Sequence, residues 1–322
     1  METVPPSISL SRSSLVPREL VHRSAPSGVL LTDVDRAGPN QFVAAAHWPR
    51  SHPTFDRSGD GRHHPLMVAE TLRQLGLYLP LGYYGVSQDW HLLIDDLRFV
   101  IDSQTEPLAS YAGTDITCRF ELEHTRFDGR GVLRAFGIRV CFLAAATMFA
   151  VAEGHASVIP DAAYAAIRRR TGAAGGDRSA GDIVTPPLRR PAPESVGVPQ
   201  PSDVLIAVDS LGAVRLHPAD PLHPFYFDHA SDHLPGMCLA EGCRQAAALL
   251  YELPGFRMVE FEIEMPHFTE LSPPPVIDCS RTGARYSAEV RQGGVCTVSA
   301  RLTPDAAGSP ARHVVQRLAS SG

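Results

Sequence analysis

DHLPGMCLAEGCRQAAALL, residues 232–250, starts at a Pro-Gly pair and continues as a helix that is apolar on nearly every side. Met237, Cys238, Leu239, Ala240, Cys243 and Ala246 to Leu250 supply the apolar coat, the pattern of a helix buried in a core. Glu241, Arg244 and Gln245 interrupt it. A buried polar group costs about 1–3 kcal/mol unless it is hydrogen-bonded, and an unpaired charge costs far more. These three side chains therefore need either partners or a wet cavity.

The same pattern occurs earlier in the chain. HPTFDRSGDGRHHPLMVAETLRQ (52–74) aligns without a gap on HPFYFDHASDHLPGMCLAEGCRQ (223–245), which places Glu70 on Glu241, Arg73 on Arg244 and Gln74 on Gln245. Each copy follows a strand-like hairpin, GVLLTDVDRAGPNQFVAAAHWP or VLIAVDSLGAVRLHP, with turn residues between its halves. Extended segments follow each helix: 90–102, 114–125 and 131–150 in the first half, and 256–268, 284–291 and 294–302 in the second. An internal repeat of this size defines the architecture. The expected fold is α+β: two tandem hotdog domains, each a long central helix wrapped by an antiparallel β-sheet. The boundaries read as a disordered tail (1–17), an N-terminal repeat (18–159), a Pro/Gly/Arg-rich linker (160–202) and a C-terminal repeat (203–322).

Composition removes several chemistries. All 29 basic residues are arginine, so a P-loop, a lysine Schiff base and a protein-kinase site are excluded. A net charge of -6 argues against a nucleic-acid footprint over the whole surface. The six cysteines form no C-x-x-C pair, so a zinc ribbon or disulfide framework is not expected. No secretory signal is evident in residues 1–17, and the longest apolar run, Val140 to Ala152, is shorter than the roughly 20 residues a bilayer requires. A cytoplasmic location follows as the expectation, without a membrane or nucleic-acid partner.

DHLPGM…E…RQA together with HPLMVAE…RQ resembles the A-factor synthase (AfsA) family of γ-butyrolactone autoregulator biosynthesis in actinobacteria. VPRELVHR (16–23), HWPRSHPTF (47–55) and FYFDHASDHLPGM are similar to that family too, and the resemblance extends over most of the chain from about residue 16. It implies an acyltransferase that joins a β-ketoacyl group, delivered on acyl carrier protein or coenzyme A, to the hydroxyl of dihydroxyacetone phosphate. No cofactor or metal is implied, and the chain would act as a monomer or a homodimer.

Within that resemblance the residues take chemical roles. Gly236 after Pro235 lets a thioester approach the helix N-terminus, where backbone N–H groups can stabilise an oxyanion. Glu241 is placed to accept the proton of the attacking hydroxyl, with partial burial expected to raise its pKa. Arg244 would hold the phosphate or the ketoacyl oxygen, and Gln245 would orient the carboxylate. The resemblance also implicates Glu70, with Arg73 and Gln74 beside it. The competing interpretation of Glu241 and Arg244 is a buried i,i+3 ion pair that only orders the core. Glu70 and Arg73 form either a second working site or a structural remnant.

His229, Asp232 and His233 suggest a substrate-entrance loop or helix cap, with metal ligation as the alternative. His52 and His223 precede prolines and are expected to be structural. The run Arg168–Arg170 is either a solvated linker charge or a dock for an acidic carrier domain. Trp48 and Trp90 are expected in the core or at an interface. A dehydratase or thioesterase on the same scaffold, and a non-catalytic acyl- or lactone-binding module, are the alternative functions. The histidine that hotdog dehydratases carry fourteen residues before the helix glutamate is replaced here by Phe227 in one copy and Asp56 in the other, which disfavours dehydration.

Overall fold

The computed structural model describes residues 8–52, 54–55, 60–176, 186–305 and 315, with backbone only for 171–176. The chain divides into two compact units, Met1–Gln88 with Leu97–Ala156 and Ala307–Gly322, and Asp89–Asp96 with Ser157–Ala306. Among the described residues, no helix is long and apolar enough to cross a membrane.

The first unit opens with the hairpin β1 (Leu31–Arg36) and β2 (Gln41–Trp48), then α1 (Leu66–Tyr83). Next come β3 (His91–Ile101), β4 (Thr114–Phe127), β5 (Leu133–Ala144) and β6 (Thr147–Ile159), in the strand order β1-β2-β4-β5-β6-β3, with the start of β3 up to Asp96 and the end of β6 from Ser157 assigned to the second unit. Strand periodicity sends alternate side chains to one face, and the register lines up Val34, Ala44, Cys118 and Phe142 in a buried row across four strands. The segment expected as one extended stretch over 131–150 is two strands. Ala145 and Ala146 both adopt positive φ (46° and 67°) to form the two-residue turn, and neither is a residue type that marks such turns in a sequence.

The second unit repeats the plan. The hairpin β8 (Ile206–Asp209) and β9 (Val214–Leu216) leads to α3 (Gly236–Leu250), then β10 (Met258–Glu264), β11 (Val276–Thr282), β12 (Arg285–Gln292) and β13 (Val295–Pro304). With β7 (Leu188–Arg189) at the edge, the order is β10-β13-β12-β11-β9-β8-β7. Ile263, Ala300 and Ala288 form the corresponding buried row, and the small side chains of Ala300 and Ala288 suit the close packing of α3 against β11, β12 and β13. β11 went unrecognised in the sequence because VIDCSRT has only one fully buried position, Ile277.

Two boundary expectations need correction. Residues 160–202 contain ordered secondary structure: α2 (Asp161–Gly176), β7, and the 3₁₀ turns Pro193–Val196 and Pro201–Asp203, all belonging to the second unit. In the tail, residues 1–7 lie outside the described residues, but 8–17 are fixed to the first unit. There the Val16 N–H donates to Leu31 O, the Ser11 N–H to Asp33, and Arg12 to Ile116 O and Thr117 Oγ1.

Candidate functional site

The polar trio of α3 is sealed into a network of its own unit. Glu241 and Arg244 are each 2% exposed and Gln245 is fully buried. Arg244 donates from Nε to Glu241 Oε2 (2.8 Å) and from Nη2 to Glu241 Oε1 (2.5 Å), a bidentate fork. Its remaining donors go to Val196 O (2.8 Å) and Phe256 O (3.3 Å). Gln245 donates to Asp203 O and Glu241 Oε1 and accepts the Leu205 N–H. The trio ties the helix to the 3₁₀ turn before β8 and to the start of that strand.

α1 carries the same tie. Arg73 donates to both oxygens of Glu70 (2.9 Å each) and to Val21 O, while Gln74 donates to Glu70 and Gly28 O and accepts the Leu30 N–H. The backbone partners correspond pairwise, Val21 with Val196, Gly28 with Asp203 and Leu30 with Leu205, each 175 residues apart. The kinked residue after the 3₁₀ turn corresponds as well, being His22 (φ 46°) in one unit and Gly197 (φ 68°) in the other. One feature is not shared. Arg23 adds a second guanidinium to Glu70 (2.8 Å), where the second unit has Val198.

These contacts bear on the expected roles. Burial by itself would raise the Glu70 carboxyl, but Arg23 and Arg73 outweigh it and hold the pKa at about 2, the reverse of what a general base needs. Burial likewise opposes the charge of Arg244, and the Glu241 carboxylate more than offsets it. A guanidinium whose donors meet Glu241, Val196 and Phe256 is poorly placed to take up a substrate phosphate. Burial also pushes the Cys238 and Cys243 thiols of α3 upward, so neither is an activated nucleophile.

His52 and His223 are structural. His223 Nδ1 accepts the Phe225 and Tyr226 N–H groups, so its protonated Nε2 donates to Asp203 Oδ1 (2.9 Å). His52 Nδ1 accepts the Thr54 and Phe55 N–H groups in the same way. Trp48 is buried and donates to Thr71 Oγ1 of α1, while Trp90 is half-buried.

A different group gathers at the start of α3. Pro235 precedes the helix in an extended conformation with no side-chain cap, and Gly236 faces Met265, whose Sδ would lie 3.4 Å from an added Cβ. Asp232 Oδ1 accepts from His233 Nδ1 (2.7 Å) and from the Tyr164 hydroxyl (2.6 Å), and Asp232 Oδ2 accepts from Arg168 Nε (2.9 Å). Arg168 is anchored in turn by a bidentate pair to Glu270 and lies over the Phe268 ring. His91 stacks on Tyr164 at 3.8 Å and pairs with Asp161. Burial would raise Asp232, but its hydrogen bonds from Tyr164, His233 and Arg168 bring it down to about 2. His229 makes a separate pair with Asp228 (2.6 Å).

Tyr164 is not singled out by the sequence, and Arg168 is read there only as part of a charge run, because α2 has the composition of a linker. The signal was the Tyr-x-x-x-Arg spacing, which places both side chains on one helical face. Arg168 is therefore not a solvated charge, although Arg169 and Arg170 are exposed.

Residues 8–160 and 184–303 match the family described as the A-factor biosynthesis hotdog domain. The chain belongs to that family. Its relatives include 2-oxo-3-(phosphooxy)propyl 3-oxoalkanoate synthase of Streptomyces virginiae, 32% identical over 264 residues that cover 81% of this chain and 86% of the relative. The protein of the same description from Streptomyces griseus is 29% identical over 269 residues, covering 80% and 82%. Among solved structures, an acyl-ACP thioesterase from Bacteroides thetaiotaomicron has a TM-score of 0.49 at 12% identity, covering 82% of this chain and 98% of that one. The 12:0-ACP thioesterase from Umbellularia californica has a TM-score of 0.48 at 10% identity, covering 82% and 98%. Membership of the A-factor family agrees with the sequence resemblance and with the hotdog plan of each unit.

Proposed function

We propose that the chain transfers a β-ketoacyl group from a thioester, on acyl carrier protein or coenzyme A, to the hydroxyl of dihydroxyacetone phosphate. One observation carries this: the relatives from Streptomyces virginiae and Streptomyces griseus are described by an ester whose alcohol part is 2-oxo-3-(phosphooxy)propyl and whose acyl part is a 3-oxoalkanoate. Coverage above three quarters on both sides supports carrying that reaction over to this chain. The reaction joins an alcohol to a thioester and needs no redox partner. The uncapped start of α3, with Gly236 beside it, suits the thioester carbonyl, because backbone N–H groups at a helix N-terminus stabilise a developing oxyanion. His229 lies exposed on the loop leading to it and serves as an entrance residue.

In this account Glu241, Arg244 and Gln245, like Glu70, Arg73 and Gln74, hold their helices in place and do not handle substrate. A cytoplasmic site fits the thioester donors and the triose phosphate. The test is incubation of the full chain with β-ketoacyl thioesters of several lengths and dihydroxyacetone phosphate, followed by mass spectrometry. The expected product is the phosphorylated ester. Free acid or an enoyl thioester formed without need of the triose phosphate would replace this function with thioester hydrolysis or dehydration, and bound but unchanged ligand would indicate a binding module.

A further inference from the structure

We propose that His233, held by Asp232, is the proton acceptor for the attacking hydroxyl, with Tyr164 and Arg168 as positioning residues supplied by α2. This deepens the transferase function and rests on it. Two other segments of the second unit meet the pair, α2 through Tyr164 and Arg168 and the loop after β10 through Phe268, with Glu270 of that loop anchoring Arg168 and His91, at the start of β3, stacking on Tyr164.

The electrostatics point in one direction. Asp232 stays ionised, so it holds the proton of His233 on Nδ1 and leaves the Nε2 lone pair as the basic site. Arg168 spans Asp232 and Glu270, which keeps the aspartate in place although it lies near the surface. The Phe268 ring packs edge-on against His233 at 4.9 Å and restricts its rotation. The imidazole is 29% exposed, open enough to meet a substrate, whereas Glu241 is sealed. His233 lies two residues before Pro235, so its ring and the free N–H groups of the first helical turn belong to the same short stretch of chain.

The repeat adds a second argument. In the gap-free alignment Asp232 and His233 fall on Gly61 and Arg62, so the first unit has no counterpart of the pair although its buried tie is intact. A packing device required by the fold would be expected in both copies.

The step balances without any further reactant. The hydroxyl oxygen of dihydroxyacetone phosphate attacks the thioester carbonyl carbon as His233 Nε2 takes the hydroxyl proton. The tetrahedral oxyanion then collapses, the C–S bond breaks, and the imidazolium returns the proton to the departing thiolate. One C–O bond has formed, one C–S bond has broken, and no oxidation state has changed.

The test compares wild type, His233→Ala, His233→Gln and Arg168→Gln as full chains, with the donor supplied in parallel as coenzyme A and carrier-protein thioesters. For His233→Ala the expected result is a drop in kcat of about 100-fold or more, with KM within a few-fold and an unchanged unfolding midpoint. Added imidazole should restore part of the rate, a response that a purely structural histidine would not give. Arg168→Gln should change the pH profile of kcat more than KM. If His233→Ala keeps kcat within about 3-fold, or if its loss is matched by a lowered midpoint and is not rescued by imidazole, the proposal is overturned while the transferase function stands. If wild type itself forms no ester from either donor, the transferase function fails, and this role fails with it.

Discussion

α1 begins among histidines committed to their own chain, whereas α3 begins beside an ionised aspartate and a histidine held from several other segments. In the first unit the Leu66 N–H donates to His64 Nδ1, His63 Nε2 bonds Thr114 Oγ1, and Phe55 stacks between His52 and His64. Burial lowers His63 to about 4 and His52 to about 3, so both stay neutral. Further along, the two helices converge on the same Glu-Arg-Gln tie to backbone partners that correspond one for one. On the proposed function, the parts that repeat hold the scaffold and the parts that differ carry the chemistry.

The largest expected effects come from breaking the ties. Removing one member of a buried ion pair costs about 3–5 kcal/mol because the other charge is left uncompensated. Glu241→Ala is expected to fall in that range by chemical denaturation. Glu70→Ala leaves two guanidiniums stranded and is expected to cost about 5 kcal/mol or more, a large part of a typical domain's stability. A smaller loss for Glu70→Ala than for Glu241→Ala would break the structural equivalence.

Acid should affect the first unit early. Well above pH 6.5 His52 and His63 are neutral whether folded or unfolded; below it the unfolded chain takes up protons that the folded state refuses until about pH 3 for His52 and about pH 4 for His63. The unfolded state then binds more protons, so stability falls with pH by up to about 1.4 kcal/mol per unit for each histidine. Glu70 adds to the loss at lower pH, since a carboxyl held at about 2 gives up its contribution as the pH drops from the ordinary 4.5 toward that value. Denaturation midpoints measured from pH 7 to 4 should show the slope, and His63→Gln should flatten it.

Smaller effects test the kinked residues behind each tie. Gly197→Ala puts a side chain into the left-handed region, which costs about 1–2 kcal/mol by itself, and drives its Cβ into the Pro254 backbone carbonyl, so the total is expected to exceed that range. His22→Gly, at the corresponding place, should be neutral or gain up to about 1 kcal/mol, since glycine adopts that conformation freely. Arg170→Gln, on an exposed part of α2, should change stability by less than about 0.5 kcal/mol.

The repeat was legible because a buried carboxylate needs its partners at i+3 and i+4 on the same helix, a spacing that survives in Glu-x-x-Arg-Gln. The hairpin, helix and strand order was legible through the same alignment. What the trio does was not, because its remaining partners are backbone groups far away in sequence: Arg244 meets Val196 O across 48 residues and Gln74 meets Gly28 O across 46. Arg23, 47 residues before Glu70, carries no periodic signal either. α2 was hidden by its Ala, Arg and Gly content, which conceals that Tyr164 and Arg168 reach Asp232. His233 and Asp232 were visible as a polar loop, but their pairing with α2 appears only in three dimensions.

The most direct test joins stability and activity in one double substitution, Glu241→Gln with Arg244→Met. Replacing a buried pair with uncharged groups of similar volume is often close to neutral, whereas removing one partner is not. If the tie is scaffold, Glu241→Gln alone lowers stability and ester formation together, and the double variant recovers part of both, the Val196 and Phe256 carbonyls being left without their donor. A double variant as stable as wild type that still forms no ester would contradict the account and return Glu241 to the chemistry.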